Sequence, residues 1–279
     1  CLTLFKFLKD RPRAVFCLCR SIKEFAVNLK QKIQAGQTLF TAWSTLPDPL
    51  LAGVLAATEF DVVTLDMQHG GHSDESVLRC IGPVIQNGAH PVMRVPVGRF
   101  DMASRALDFG AEAVIAPMIN TVKDAEDFAS FMKYPPLGSR SWGPTRAMEF
   151  RGISDGNRYF QTANDETLAI AMIETMSAFA VVDEILAIDG IDGIFVGPAD
   201  FSIGWSGGKF VNAQHEGMTE ILGDLAAKAK AAGKFAASFG MDAAHAKLLA
   251  SLGFQLIAIS TDTGCLKSGA NSMVAAARS

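Results

Sequence analysis

Two carboxylates stand where a hard cation could be held. Glu174 ends the apolar run 168–173, and Asp200 follows the run 193–196 across Gly197-Pro198-Ala199. If those runs are neighbouring strands, about 4.8 Å apart, both side chains can reach one ion. Oxygen ligands alone suit Mg²⁺ or Mn²⁺, and two protein ligands leave positions for water and substrate. Each residue has a plainer use as a cap on the helix that follows, a role that Asp favours. That use fits Asp200 as well as metal binding does. It explains an Ile-Glu at the end of an apolar strand less well.

Other apolar runs also end in polar residues. Asp66-Met-Gln-His69 follows the run 61–65. His69, three residues past Asp66, suits a general base whose tautomer and basicity a carboxylate sets. A histidine satisfied within its own loop is the alternative. Gly70-Gly71 would let backbone approach a ligand closely, and His72 is expected at the loop surface. Arg94 follows Val92-Met93 and precedes Val95-Pro96. A charge there is costly unless it is paired or serves a site. It suits a carboxylate or a developing oxyanion, or else a structural salt bridge. Trp43 would floor or wall a pocket, or pack in the core.

A common frame has to gather these residues. From residue 38 onward, short strand-like runs alternate with longer stretches of helical period, which signals βα units around a parallel sheet. Strands are expected at 39–43, 61–65, 91–95, 113–118, 168–173, 193–196, 235–238 and 256–260. Val122, Ala125, Phe128, Ala129 and Met132 share one helix face, as do Met218, Ile221, Leu222 and Leu225. Ser73 opens another helix, with Ser76 where a capping box wants Glu, so that cap reads as half formed. Eight such units predict an α/β fold closed into a (β/α)₈ TIM barrel, with its site at the C-terminal strand ends. An open doubly wound sheet would want a Gly-rich phosphate turn after the first strand, and Trp43-Ser-Thr-Leu-Pro47 is not one.

Of the 279 residues, 49% are hydrophobic and 19% charged, which supports a large core and excludes a disordered chain. The net charge of −4 implies no basic surface, so no nucleic-acid partner is expected. No membrane span is expected either, since no run approaches ~18 apolar residues. Cys1, Cys17 and Cys19 lie near the start, leaving only Cys80 and Cys265 in the body, which suits a reducing, cytoplasmic setting. Residues 1–28 read as a basic extension distinct from a barrel over 29–279. The extension lacks the apolar run of a secretory signal. It reads as a fragment or a mis-called upstream extension, with a transit segment as the alternative. One connection, 134–166, interrupts the beat with Pro135-Pro136, several glycines and Arg140, Arg146, Arg151 and Arg158. Loops this long are usually functional. A lid or a subunit contact is expected, with too few apolar residues for a core helix.

The order Trp43, Asp66-Met-Gln-His69, Arg94-Val-Pro, Tyr134-Pro-Pro-Leu-Gly, Ile173-Glu174-Thr and Gly197-Pro-Ala-Asp200 resembles the HpcH/HpaI family of class II pyruvate aldolases. That family includes the 2,4-dihydroxyhept-2-ene-1,7-dioate and 2-keto-3-deoxy-sugar-acid aldolases. The resemblance spans roughly residues 29–275. It implies a homo-oligomer, a hexamer built as a trimer of dimers. It also implies Mg²⁺, Mn²⁺ or Co²⁺ as cofactor, and a small 2-oxo acid and an aldehyde as substrates. Under it Glu174 and Asp200 match the metal ligands, and His69 the base, with Asp66 beside it. Arg94 matches the residue that stabilises the enolate oxygen. Gly197, Pro198 and Ala199 match the substrate-binding turn, the Ala199 backbone meeting the substrate carboxylate. Asp108 matches an acidic residue that raises the basicity of the histidine. At the end of the third helix it could act only on a neighbouring subunit, and it also reads as an ordinary helix-end residue before Gly110. Gln68 stands where many members have Glu, and Met172 where several have a substrate-binding Gln.

The chemistry expected is metal-dependent cleavage or formation of a carbon–carbon bond in 4-hydroxy-2-oxo acids. The C4 hydroxyl loses its proton to the His69–Asp66 pair, the C3–C4 bond breaks, and a pyruvate enolate remains, stabilised by the metal and Arg94. No lysine ends a strand, which disfavours a Schiff base. The alternatives are an acyl-CoA lyase of the malyl-CoA kind, an oxaloacetate decarboxylase and a non-catalytic metabolite-binding barrel. The first would need the arginines of 140–158 as its phosphate groove.

Overall fold

The computed structural model describes residues 27–279. Up to residue 26, the basic extension lies outside the described residues. Eight strands pair in parallel, in chain order, and close on themselves. They are β1 (Leu39–Ser44), β2 (Val62–Asp66), β3 (His90–Arg94), β4 (Ala113–Ala116), β5 (Leu168–Ile173), β6 (Gly193–Val196), β7 (Phe235–Gly240) and β8 (Leu256–Thr261). The fold is the (β/α)₈ barrel read from the sequence. Strand β4 stops short of the expected residue 118. Pro117 has no N–H to give the ladder, and Met118 turns to a left-handed φ of 54°.

Alternation along the strands builds two cores. Val63 and Leu65 face outward and pack under the helices. Val62 faces inward with Leu39, Val92, Ile170, Phe195 and Leu256 to fill the barrel. Carried upward by steps of two, the inward rows are Trp43, Asp66, Arg94, Met172 then Glu174, Gly197, and Phe239 then Met241. The fold therefore aims these residues at one mouth.

The helices that separate the strands are cut by local chemistry. Helix α2 (Pro49–Ala56) starts on an Asp48 cap with Pro in its first turn. Helix α3 (Asp74–Gln86) starts on a complete capping box. Ser73 Oγ accepts from Ser76 N at 3.4 Å, and Ser76 Oγ accepts from Ser73 N at 2.8 Å. Ser76 thus does what Glu usually does, which corrects the half-formed cap. Helix α4 (Phe100–Phe109) ends on Gly110 at φ 112°, a left-handed cap that favours glycine. In α5 (Val122–Met132), Ala125, Phe128, Ala129 and Met132 are buried, as their spacing predicts.

The short α1 (Leu29–Gln34) plugs the N-terminal end of the barrel with Leu29 and Ile33. The connection 134–166 lies at that same end, because it leaves α5 and returns to the start of β5. It contains α6 (Thr145–Phe150) and α7 (Gly156–Glu166) around a small core of Tyr134, Ala147, Tyr159 and Ala163. Two expectations are corrected here. The segment is no lid over the C-terminal mouth, and its tyrosines and alanines do suffice for helices with a core of their own. The chain ends in α13 (Asp262–Arg278), where Asp262 is the only buried residue. Among the described residues no helix is long and apolar enough to cross a membrane.

Candidate active site

The inward rows end in one cavity of about 300 Å³. Trp43, Asp66, His69, Arg94, Glu174 and Asp200 line it, with Gly197-Pro198-Ala199 between the last two. Of the sequence candidates, only Asp108 lies elsewhere. Met172, Phe195, Phe239, Met241, Thr45 and Thr261 complete the wall.

Glu174 is brought beside β6 by the register Ile173↔Val196. It is buried, and a Cβ on Gly197 would stand 2.6 Å from its Oε1. Glycine is required at 197 for that approach. Met118 donates its backbone N–H to Glu174 Oε2 at 2.8 Å. Burial pushes the Glu174 carboxyl above its ordinary pKa and the charge of Asp200 adds to this, against the Met118 N–H and Arg94. Thr175, not Glu174, caps the following helix, α8 (Met176–Ala180). Asp200 lies in the first turn of α10 (Pro198–Trp205), whose cap residue Gly197 provides no side-chain bond. Neither carboxylate is a helix cap.

The pair fits a divalent cation. The two carboxylates converge on one cavity, and Glu174 Oε1 receives no hydrogen bond among the described residues. Arg94, the guanidinium in the cavity, gives its Nε and Nη2 to Asp66 and hydrogen-bonds neither carboxylate among the described residues. No cluster of three or more His, Cys, Asp or Glu forms among the described residues, which leaves a site of two carboxylates.

Asp66 and Arg94 face each other across β2 and β3. Arg94 Nε donates to Asp66 Oδ1 at 2.8 Å and Nη2 to Oδ2 at 2.6 Å, a bidentate pair. Trp43 Nε1 also donates to Oδ2, at 3.2 Å, and the Trp43 ring lies 4.9 Å from the guanidinium carbon. Burial works to raise the Asp66 pKa, but the Arg94 hydrogen bonds and charge, with the Gln68 N–H, hold it below the usual carboxylate range. The expected Asp66–His69 ring pair is not formed. Asp66 accepts from the backbone N–H of His69 at 3.4 Å, and its carboxylate orients Arg94 instead. The His69 side chain is exposed to the cavity without a hydrogen-bond partner among the described residues.

His72, expected at the surface, is buried. Ser44 Oγ lies 3.0 Å from its Nε2 and Ser76 Oγ 3.1 Å from its Nδ1. Burial depresses its pKa against the pull of Asp262 and Asp66. Asp262 was not singled out from the sequence. It accepts from Thr45 N, Leu46 N and Thr45 Oγ1 at 2.6–2.8 Å. Thr45 O in turn accepts from Gly71 N at 2.8 Å, so Asp262 and His72 together anchor the loop that carries His69. The signal for both is long-range pairing, which spacing does not show.

Asp108 ends α4 at the opposite end of the barrel. Arg140 Nη2 donates to its Oδ1 at 2.7 Å. Burial raises its pKa against that arginine.

Comparison with known proteins settles the lineage. Residues 39–268 match the description of the HpcH/HpaI aldolase/citrate lyase family. The chain belongs to that family. A hydroxypyruvate/pyruvate aldolase of Rhizorhabdus wittichii is 33% identical over 243 residues, 87% of this chain and 95% of that protein. A 2-keto-3-deoxy-L-rhamnonate aldolase of Klebsiella pneumoniae is 30% identical over 234 residues, 84% and 86% of the two chains. The crystal structure of an HpcH/HpaI aldolase/citrate lyase family protein from Burkholderia cenocepacia superposes with a TM-score of 0.80 at 29% identity, covering 90% of this chain and 99% of that one. As an HpcH/HpaI member with aldolase relatives, the chain is a carbon–carbon lyase.

Proposed function

We propose that this lyase joins and separates a pyruvate-type enolate and an aldehyde, acting on 4-hydroxy-2-oxo acids. The observation that carries the reading is the carboxylate pair Glu174 and Asp200, open to one cavity with Arg94 and His69. A divalent cation held by that pair, Mg²⁺, Mn²⁺ or Co²⁺, supplies Lewis-acid stabilisation of enolate charge. The residues of the chain do the rest. Asp66 fixes the plane of Arg94, whose Nη1 is left to meet the enolate oxygen. The N–H of Ala199, in the first turn of α10, receives the substrate carboxylate. His69 takes the C4 hydroxyl proton as C3–C4 breaks, and returns a proton to the aldehyde oxygen as the bond forms.

Asp108 completes this scheme from a second copy of the chain. It lies at the opposite end of its own barrel from its own cavity, against Gly143, and nearby in the chain Trp142 and Phe160 are exposed, their rings tilted against Tyr134. Leu266 and Met273 on α13 are exposed as well. A homo-oligomer covers these faces, and a hexamer is the expected form. Light scattering gives its size. The cytoplasm suits the free thiols of Cys80 and Cys265, the former buried with its pKa raised to about 11.

Chelation with EDTA followed by add-back of each cation tests the reading. Activity is expected to vanish and return, and borohydride with pyruvate is expected to trap no adduct. No lysine lines the cavity, which fits that outcome. A malyl-CoA-type reading would have to draw its cationic groove from a second copy of the chain. Arg140 and Arg151 lie at the opposite end and are paired with Asp108 and Glu166. Oxaloacetate decarboxylation needs only the same enolate site and is a side activity to assay.

A further inference from the structure

Five side-chain atoms in the connection 134–166 are buried without a hydrogen-bond partner among the described residues. They are Tyr134 Oη, Arg140 Nε and Nη1, Tyr159 Oη and Thr162 Oγ1. Arg140 is the costly one, since its guanidinium stays charged and its unpaired N–H groups have lost water. Packing gives no reason for it, because an apolar side chain would fill the same space at less cost.

The chain still places this arginine closely. Its backbone N–H donates to Lys133 O at 3.0 Å, and Gly138 lies too near Lys133 O for any Cβ. The turn out of α5 is thereby folded back on itself. The guanidinium carbon lies 4.6 Å from the centroid of the Tyr134 ring. Nη2 donates to Asp108 Oδ1, on α4, at 2.7 Å. A Cβ on Gly143 would stand 3.0 Å from Asp108 Oδ2, so glycine there leaves that oxygen clear.

The two partners differ in exposure. The Arg140 side chain is 0% exposed and that of Asp108 24%. Asp108 Oδ2 takes no hydrogen bond among the described residues. The pair therefore turns outward only a carboxylate, with one oxygen held and one free. That is the form of an orienting pair, in which a buried group sets the geometry of the one that acts.

We propose that Arg140 is a positioning residue of the reaction, fixing Asp108 so that its Oδ2 meets the His69 of a second copy of the chain. The assignment rests on the reading above that Asp108 serves a neighbouring site.

Charge gives the assignment a signature. Burial raises the Asp108 pKa, and Arg140 opposes that rise. The other cations on these elements are paired or exposed. Arg105 meets Asp74, Arg146 meets Glu149, Arg151 meets Glu166, and Arg158 faces solvent. Tyr134, its pKa pushed up to about 12 by burial, stays neutral. Removing the Arg140 charge favours a proton on the Asp108–His69 pair, whichever of the two carries it. The base form is then lost at a higher pH.

The test follows pyruvate released from 4-hydroxy-2-oxopentanoate with saturating Mg²⁺. Arg140→Met is expected to lower kcat by about 10–10²-fold with KM held, and to move the acid limb of kcat/KM to higher pH. Arg140→Lys keeps the charge and should leave the limb in place. Should Arg140→Met fail to assemble by light scattering, Arg140→Gln, which keeps a neutral donor to Asp108, carries the same expectations. Mixing either variant with His69→Ala should restore turnover, since some sites then draw both groups from sound copies. Mixing it with Asp108→Asn should restore none, since both residues act from the same side of the shared site. An unmoved limb, full activity, or recovery with Asp108→Asn overturns the assignment. Asp108→Asn mixed with His69→Ala separates the two failures. No recovery there sinks the shared-site reading and the role of Arg140 with it. Recovery there, with none for the Arg140 variant and His69→Ala, sinks the Arg140 assignment alone.

Discussion

At the N-terminal end of the barrel, Lys133 and His90 are matched by carboxylates, while Arg140 keeps Nε and Nη1 unpaired among the described residues. Lys133 Nζ donates to Asp192 at 2.7 Å and to the carbonyls of Thr167 and Asn164 at 2.7 and 2.9 Å. Lys30 reaches the other Asp192 oxygen at 2.9 Å, and His90 meets Glu112 at 2.8 Å. At the C-terminal mouth, charge is left open. Glu174 has one backbone donor, Asp200 has no hydrogen bond on its carboxylate among the described residues, and Asp66 absorbs Arg94. Burial raises the Glu174 pKa where it could have been offset by a lysine, as at the other end. The difference teaches where stability and chemistry have been separated. Lys133, Lys30 and His90 with their carboxylates hold one end of the barrel together, and the other end keeps two carboxylates for something that the chain itself does not provide.

Five substitutions sharpen or break this contrast. The largest effect is expected at the matched end. Lys133→Met leaves Asp192 and two carbonyls short of a donor and should cost about 3–5 kcal/mol in denaturant unfolding. The folded fraction should keep its kcat/KM, and a parallel loss of specific activity would break the contrast. At the mouth the signs reverse. Glu174→Gln keeps an acceptor for Met118 N–H and removes a buried charge. Turnover should fall on the order of 10³-fold, with no loss of thermal stability in metal-free buffer. His69→Ala should cost about 10²–10³-fold in kcat, with the unfolding midpoint unchanged, since its ring supports nothing. Mixing that variant with Asp108→Asn should restore turnover in mixed oligomers if Asp108 serves a neighbour's site. Two inactive partners that stay inactive after mixing would refute that role.

The smallest effect is a pH dependence. Burial holds the folded His72 pKa below its ordinary 6.5. The unfolded chain therefore takes up a proton first as pH falls. The His72 contribution is complete above 6.5 and is lost as pH drops below it. Between that value and about pH 5, before carboxylates such as Asp66 titrate, His72→Gln should flatten the fall of the melting temperature. An unchanged slope would remove His72 from the loop anchor.

The barrel was legible because each strand is covered on both faces and reads as a short continuous apolar run. Inward alternation then carries Trp43, Asp66, Arg94 and Glu174 to one mouth. Spacing misled at Asp66, where the nearby His69 suggested a partner. The true partner, Arg94, is the residue opposite on the next strand, a pairing that register alone reveals. His72 reads as surface because its partners, Ser44 and Ser76, come from β1 and α3. Met118 gave no sign at all. Its role depends on a left-handed backbone that no residue type signals. Residues 134–166 read as a lid or a subunit contact from their Pro and Gly content, whereas their place between the end of α5 and the start of β5 puts them at the N-terminal end.

The central claim is that Glu174 and Asp200 hold a divalent cation that makes a pyruvate enolate accessible. NMR of pyruvate C3–H exchange in D₂O, followed through chelation and metal add-back, tests it most directly. The account predicts exchange with Mg²⁺, Mn²⁺ or Co²⁺, none after EDTA, and none with Glu174→Gln under any of the three. Exchange that continues at full rate in the chelated wild type would contradict it.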